Sequence, residues 1–404
     1  MRIAIVSQYY RPENAKITNS LASELAARGH SVRVVTGYPN FPEGVLYPGY
    51  KQAWKSEERD GGVLVRRVPI YVSHSANPIG RIANYASFAF SSLQATRFVA
   101  NADVVYVYAT QMTASVAPLG WHLLKRIPFV LHVQDLWPES ITGSSMVSGR
   151  LNRLIGGLLN PWLRATYRAA AATIAIAPTM GKMLVERGVP RDRIHVVYNW
   201  SDEEVPAPTP RGVGDGLTVT YAGNIGSLQA LEAAVYAAHE VRDLSGFRLL
   251  IVGGGGALES LKELAARLGA TNVQFRGRVD PSRMSDIYLE SDFQLISLKN
   301  IDIFHGTIPS KFQGSLAYGQ PVICAVPGDL GQLVSENGIG ISAEPENAES
   351  LARAFRQAFA MTAEERLSMA ATASSFYAER MSIKAGVGAV EHVLASVARL
   401  GKRR

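Results

Sequence analysis

Short apolar runs alternate with longer amphipathic stretches along the whole chain. "MRIAIVS" reads as a strand, "QYYRPENA" as a polar loop, and "KITNSLASELAARGH" as an amphipathic helix that stops at Gly29. "SVRVVTG" is the next strand. Residues 217–253 repeat the plan: "LTVTYAG" is a strand, "NIGSLQ" a loop, "ALEAAVYAAHEVRD" a helix and "FRLLIVG" a strand. Two such openings half a chain apart predict an α/β protein of two Rossmann-like, doubly wound domains. Between them "VVYNWSDEEVPAPTPRGVGDG", from Val196 to Gly216, turns rich in proline and glycine, the composition of a linker. The expected domains are residues 1–200 and 201–377. Past Met361 the chain is helical, with "TAEERLSMAATASSFYAERM" and then "IKAGVGAVEHVLASVARLGKRR".

In doubly wound sheets, ligands sit beyond the carboxyl ends of the strands. The polar loops that follow strands are therefore where chemistry is sought. In "YAGNIGSLQAL", Gly223, Asn224 and Gly226 lie between a strand and a helix, where backbone can approach a phosphate; a plain turn would use the same glycines. "VGGGGALES" follows the next strand, but Leu258 stands at the third glycine position of a dinucleotide fingerprint, so a nicotinamide site is weakly supported. "FQLISL" ends at Lys299, and Thr307–Lys311 leads into a small-residue helix with Ser310 at its start. Lys299, Lys311 and the helix N–H groups together suit a diphosphate; two solvated lysines on a loop are the plainer alternative. "FVLHVQDLWPES" is a strand that breaks into His132, Asp135, Trp137 and Glu139. No His-Glu-x-x-His, paired cysteine, Asp-x-Asp or Gly-x-Ser-x-Gly occurs, so a metal cage, a thiol nucleophile or a serine elbow is not expected.

Composition narrows the class. A chain of 404 residues with 47% apolar and 19% charged residues is too long for one core and is folded rather than disordered. Its one cysteine, Cys324, excludes an internal disulfide and fits a reducing cytoplasm. The start of the chain has no secretory signal pattern. Val104 to Leu124 carries no formal charge, but Thr110, Gln111, Pro118, Gly120 and His122 make it a strand, a loop and a short helix rather than a membrane span.

Charge is uneven. Residues 1–200 hold 22 Lys+Arg against 11 Asp+Glu, and the remainder 19 against 23. A basic half suits phosphate-rich substrates or an anionic membrane surface; nucleic acid is not an expected partner. Two segments concentrate arginine beside apolar residues: "RLNRLIGGLLNPWLRATYR" (150–168), in which Pro161 is placed to kink or split a helix, and "RIANYASFAFSSLQATR" (81–97). Both also fit core helices packed on the first sheet.

Several strings carry a resemblance: "YYRPEN", "GYPNFPEGVLYPGY", "HVQDLWPES", "YNW", "YAGNIGSLQALE" and "TIPSKFQGSLAYGQPVI". In this order, over nearly the whole chain, the sequence resembles retaining glycosyltransferases of family GT4, and within them the WbuB-like enzymes of O-antigen, capsule and exopolysaccharide assembly. The resemblance implies a GT-B architecture, two Rossmann-like domains facing across a cleft, with a C-terminal helix at about 378–404 crossing back onto the first domain. It implies a nucleoside-diphosphate sugar donor, leaning to uridine, a saccharide acceptor on a polyprenyl diphosphate, and neither cofactor nor metal. The implied location is cytoplasmic, peripheral at the inner face of the plasma membrane.

Site residues follow from the resemblance. Gly223, Asn224, Gly226, Gly277, Arg278, Val279, Lys299, Thr307, Ser310 and Lys311 would bind the donor. His132, Asp135 and Lys311 would be catalytic. Arg11, Glu13, Asn14, Lys16, Tyr38, Asn40 and Glu139 would meet the acceptor. Two departures matter. Gly306 and Gly314 stand where many GT4 enzymes carry glutamates, and Asn224 and Gln229 stand where many carry an arginine and a lysine. Fewer cations then face the diphosphate, which leaves Lys299 and Lys311 to meet it. A nucleotide-sugar 2-epimerase shares the architecture, and a non-catalytic nucleotide-sugar binder would tolerate the missing glutamates.

Overall fold

The computed structural model of the chain describes residues 1–72, 78–137, 149–201, 216–280 and 283–401. Glu139 and the linker residues 202–215 lie outside them, as do the side chains of Arg150 and Arg153. The chain forms two compact units, Met1–Tyr198 with Ile383–Arg404, and Asn199–Ser382.

The first unit is built on an eight-stranded sheet among the described residues. Its strands are β1 (Arg2–Val6), β2 (Ser31–Gly37), β3 (Ser56–Asp60), β4 (Val63–Val68), β5 (Val104–Ala109), β6 (Phe129–Val133), β7 (Ala172–Ala175) and β8 (Ile194–Val196). The order is β3-β4-β2-β1-β5-β6-β7-β8. Neighbours pair parallel except β3 with β4. Parallel strands covered on both faces need unbroken apolar runs, and β5 ("VVYVYA") and β6 ("FVLHV") supply them. The antiparallel edge strand β3 is "SEERD", a charged sequence that discourages pairing with another chain. The uncharged run from Val104 becomes β5, a turn at Met112–Ser115 and the helix Val116–Lys125. No described helix is long and apolar enough to cross a membrane.

The two arginine-bearing segments are helices of this unit. Gly149–Ala169 runs through Pro161 as one helix, with Leu163 and Tyr167 buried and Arg164 and Arg168 exposed. Pro78–Ser92 buries Phe88 and Ala89 yet exposes Ile82 and Phe90. The C-terminal helix Ile383–Gly401 packs against β5, β6 and the helix Lys16–Ala27. Glu391 on it accepts from Arg28 at 2.7 Å and bonds the His30 ring at 2.7 Å.

The second unit carries a six-stranded parallel sheet: β9 (Leu217–Asn224), β10 (Phe247–Gly254), β11 (Val273–Arg276), β12 (Phe293–Ser297), β13 (Val322–Ala325) and β14 (Gly340–Ser342). The order is β11-β10-β9-β12-β13-β14. The chain winds outward from β9 in both directions, so the carboxyl ends of β9 and β12 form a switch point, where successive loops diverge and leave a crevice. The helices obey local rules. Asn347 caps Ala348–Ala360 by accepting from the Ser350 N–H at 3.0 Å, and Thr362 with Glu365 forms a capping box before Ala363–Arg380.

Phe247 of β10 and Phe355 of the capped helix meet at 5.1 Å between ring centres, inside a core shared with Leu249, Ile251 and Leu295. Phe355→Ala is expected to destabilise this unit by about 3–5 kcal/mol. Loss of hydrogen-exchange protection in β9 and β10 would report it; unchanged protection would show that the core closes over the gap.

Candidate functional site

The switch point of the second unit is held by interlocking backbone. Ile225 N–H donates to Gly254 O at 3.0 Å, and Ala257 N–H donates back to Ile225 O at 3.0 Å. Gly223 and Gly253 both have left-handed backbone, φ +139° and +137°. A Cβ on Gly253 would lie 1.9 Å from the Gly223 carbonyl oxygen, so the two strand ends can touch only as glycines.

Lys311 lies across this floor. A Cβ on Gly223 would fall 2.5 Å from its Cε and 2.8 Å from its Nζ. The Nζ stands 3.7 Å from the centre of the Tyr221 ring and donates to the Tyr221 hydroxyl. That hydroxyl donates onward to Asn224 O at 2.5 Å. Tyr221 and Gly223 are two residues apart on one strand and share a face, which is why one side chain covers both. Burial lowers the Lys311 pKa to about 7 by desolvating the charged amine, and no charged partner among the described residues offsets it. Lys311 is the second residue of the helix Ser310–Ala317, whose cap is Pro309 and whose first-turn N–H groups face away from the helix body.

The other donor-side residues group around Lys311 to different degrees. Gly226 N–H donates to Gln229 Oε1 at 3.0 Å, so the Gln229 amide is folded back as a local cap. Lys299 is half-buried and its N–H donates to Leu228 O at 2.9 Å, tying the loop after β12 to the loop after β9. Asn300 N–H donates to Glu346 at 2.7 Å. Glu346 is one of few non-glycine residues with left-handed backbone, φ +58°, a strain that this contact helps to hold. Ser310 is exposed at the helix start; the Thr307 hydroxyl donates to Ile303 O at 2.9 Å. Arg278 lies against Gly254, where a Cβ would be 2.9 Å from its Nε. Gly277 is exposed, and Val279 packs on the Leu250–Val252–Ile287 cluster.

In the first unit, His132 is the penultimate residue of β6 and is fully buried. Its Nδ1 is 2.6 Å from the Tyr106 hydroxyl, and Tyr106 and Tyr108 meet its ring edge-on. Its Nε2 is buried with no hydrogen-bond partner among the described residues. Burial drives its pKa down to about 3, so the ring is neutral at physiological pH. Asp135 is exposed by area, yet desolvation by the protein around it raises its pKa, and its charge adds to the burial that raises that of Tyr108.

The acceptor-side residues divide. Glu13 is buried, and its carboxylate accepts from Asn40 N–H and Phe41 N–H, both at 2.9 Å. Asn40 is buried and donates to Tyr38 O at 2.9 Å, while the buried Tyr38 hydroxyl bonds both Ala53 O and Ala53 N–H. Glu13, Tyr38 and Asn40 therefore shape one loop by internal bonds. Arg11 is exposed and pairs with Asp60 at 3.1 Å; Asn14 and Lys16 are exposed.

A glycosyl transferase 4-like domain model matches residues 15–200, and a glycosyl transferases group 1 model matches residues 211–375. The chain belongs to the GT4-like glycosyltransferases. It is 28% identical over 410 residues to WcaI of Escherichia coli (strain K12), covering 96% of this chain and 98% of that one; the relative's name places it in colanic acid biosynthesis as a glycosyl transferase. Among solved structures, HepE of Anabaena in complex with UDP is 15% identical with TM-score 0.67, covering 98% of this chain and 100% of that one. WaaG, a glycosyltransferase involved in lipopolysaccharide biosynthesis, is 17% identical with TM-score 0.59, covering 97% and 99%. The fold class is GT-B, two α/β units with doubly wound parallel sheets.

Within this glycosyltransferase, sequence reasoning missed Tyr221, Tyr106 and Tyr108. Tyr221 had a usable signal in its two-residue spacing from Gly223 at a strand end. It also missed a polar chain at the ends of β1 and β5. There Gln8 donates to Asn84, and Gln111 donates to Gln8 at 2.6 Å, all three buried.

Lys311 has a pH signature. Its folded pKa of about 7 lies below the ordinary 10.5. Between these values the unfolded chain holds the extra proton, so this residue makes stability rise as pH is raised from about 7 towards 10.5. Lys311→Met removes that dependence. The difference in urea unfolding free energy between the two proteins should move towards wild type by up to about 1.4 kcal/mol per pH unit across that window. A difference that stays constant with pH would contradict the desolvated lysine.

Proposed function

We propose that this glycosyltransferase is a retaining, metal-independent enzyme using a nucleoside-diphosphate sugar, with uridine as the base, as donor. The acceptor is a saccharide carried on a polyprenyl diphosphate, and the setting is surface polysaccharide assembly at the inner face of the plasma membrane. The single observation that carries the donor reading is Lys311, a desolvated amine laid over Gly223 at a helix start. A diphosphate arriving there would supply the anion that this amine lacks. The names of similar proteins support the same direction: HepE is seen with UDP and with UDP-glucose, and WcaI and WaaG are named for colanic acid and lipopolysaccharide biosynthesis.

The chemistry is charge management. As the glycosidic bond breaks, charge develops on the diphosphate oxygens. Lys311, the N–H groups at the start of Ser310–Ala317 and the Gly223–Gly226 loop stabilise it, with Lys299 at the loop edge. The acceptor hydroxyl attacks from the side of the departing diphosphate, and a phosphate oxygen takes its proton, which needs no protein base. Among the described residues no group of three or more His, Cys, Asp or Glu is placed to hold a metal ion, and the lysine takes the neutralising role that an ion would have. His132 is neutral and too weak a base to carry a proton, so its role is to hydrogen-bond the donor sugar through Nε2. Asp135, three residues beyond it and past the strand end, would meet a sugar or acceptor hydroxyl.

Lys311→Ala should keep the fold and weaken UDP binding by roughly 10- to 150-fold, the loss of a charge-assisted bond of about 1.5–3 kcal/mol. Unchanged UDP affinity would remove the basis of the donor reading. His132→Ala should lower turnover with an acceptor far more than it lowers UDP affinity. Equal loss of both would place His132 on the nucleotide side.

A further inference from the structure

One hydroxyl stands where the core of the first unit asks for none. Tyr106 lies inside β5, an apolar strand, and is fully buried, so a phenylalanine would fill its place without desolvating a polar group. The register explains what the hydroxyl meets. Tyr108 of β5 lies opposite His132 of β6, and Tyr106 lies opposite Val130, so both tyrosines share the sheet face of the imidazole. Their rings meet it edge-on, at 5.8 and 6.0 Å between centres, and hold its plane. The Tyr106 hydroxyl then reaches Nδ1 at 2.6 Å and has no other partner among the described residues. His132 is 0% exposed, and its Nε2 has no partner there either.

Counting hydrogens decides the direction of that bond. A neutral imidazole carries one N–H and one lone pair on nitrogen, and a phenol carries one O–H. Burial keeps both groups neutral, driving the His132 pKa down to about 3 and the Tyr106 pKa well above its ordinary value. If Nδ1–H donated to the phenol oxygen, the phenol hydrogen and the Nε2 lone pair would both be buried without partners. If the phenol donates to Nδ1, the one group left over is Nε2–H. Each orphaned polar group costs stability, so the second arrangement wins. We propose that Tyr106 is a positioning residue: its phenol donates to Nδ1, holds His132 as the Nε2–H tautomer, and makes the imidazole a hydrogen-bond donor matched to an oxygen of a bound sugar. A hydroxyl or ring oxygen satisfies that donor, and an ammonium substituent does not. The use of the donor rests on the sugar-side reading of His132 given above; the tautomer itself does not.

The test is nitrogen NMR of the full chain carrying isotope-labelled histidine, with His132→Gln used to assign the signals. In a neutral ring the bare nitrogen resonates far downfield of the N–H, so each nitrogen reports its own state. Wild type at neutral pH should show Nε2 protonated and Nδ1 bare. Tyr106→Phe keeps the ring and loses the hydroxyl. It should lower the preference for Nε2–H by roughly 2- to 12-fold, the loss of one neutral hydrogen bond. Thermal unfolding and UDP affinity, measured in parallel, should show a folded chain with its diphosphate site intact. The wild-type spectrum needs no variant: Nδ1 protonated, or both nitrogens protonated, overturns the proposal. A tautomer ratio in folded Tyr106→Phe equal to that of wild type overturns it too. UDP-glucose, UDP-galactose and UDP-N-acetylglucosamine, added in turn, test the contact. At least one should move the Nε2 signal, and UDP alone should not. No movement with any of the three would overturn the sugar contact with the tautomer standing, so failure of the donor-sugar reading is read separately from failure of the Tyr106 bond.

Discussion

The amine of Lys311 is the contact on which the second unit's crevice depends. A lysine stripped of water without a carboxylate is costly, and the surrounding chain is arranged to hold it there. Gly223 must lack a side chain for the amine to pass, Gly253 must lack one for Gly223 to sit where it does, and Tyr221 must offer both a ring face and a hydroxyl. The ring stabilises the protonated form and the hydroxyl donates its own hydrogen bond to the Asn224 carbonyl. None of these residues could be exchanged independently of the others. A desolvated amine held this way is the physical argument for the phosphate ligand proposed above.

The parallel sheets explain why the pieces converge. In each unit the chain winds outward from a central strand, β1 in the first and β9 in the second, so the loops after the central strands meet polar neighbours from both sides. In the second unit the result is glycine and lysine, the groups on which the proposed diphosphate contact rests. In the first it is a buried imidazole among tyrosines, with Gln8 and Gln111 beyond the adjoining strand ends hydrogen-bonded in a chain with Asn84 of the helix Pro78–Ser92. Polar groups this deeply buried cost stability unless each finds a partner, and the His132 Nε2 is left without one among the described residues.

Much of the fold was legible because it is local. The alternation of β2, the glycine stop at Gly29 and the proline ahead of the helix at Ser310 depend on neighbours a few residues away. Tyr221 was not legible as a partner of Lys311, since 90 positions separate them and only the parallel sheet brings them together. Burial was equally hidden. Glu13 looks like any loop carboxylate in sequence, yet it is folded inward to hold the backbone of Asn40 and Phe41. The stretch 150–168 advertises arginine beside leucine, but its described C-terminal half turns Leu163 and Tyr167 to the core. Leu123 and Leu124, in a run whose apolar character alone reads as core, are exposed.

The central claim is that an under-protonated Lys311 receives the donor's diphosphate. Calorimetric titration of UDP at pH 8, in buffers of differing ionisation enthalpy, tests it most directly. Binding should draw about one proton from the buffer, because the phosphate restores the lysine's charge, and Lys311→Met should abolish that uptake. UDP binding of undiminished affinity with no proton uptake, or with the same uptake in Lys311→Met, would contradict it.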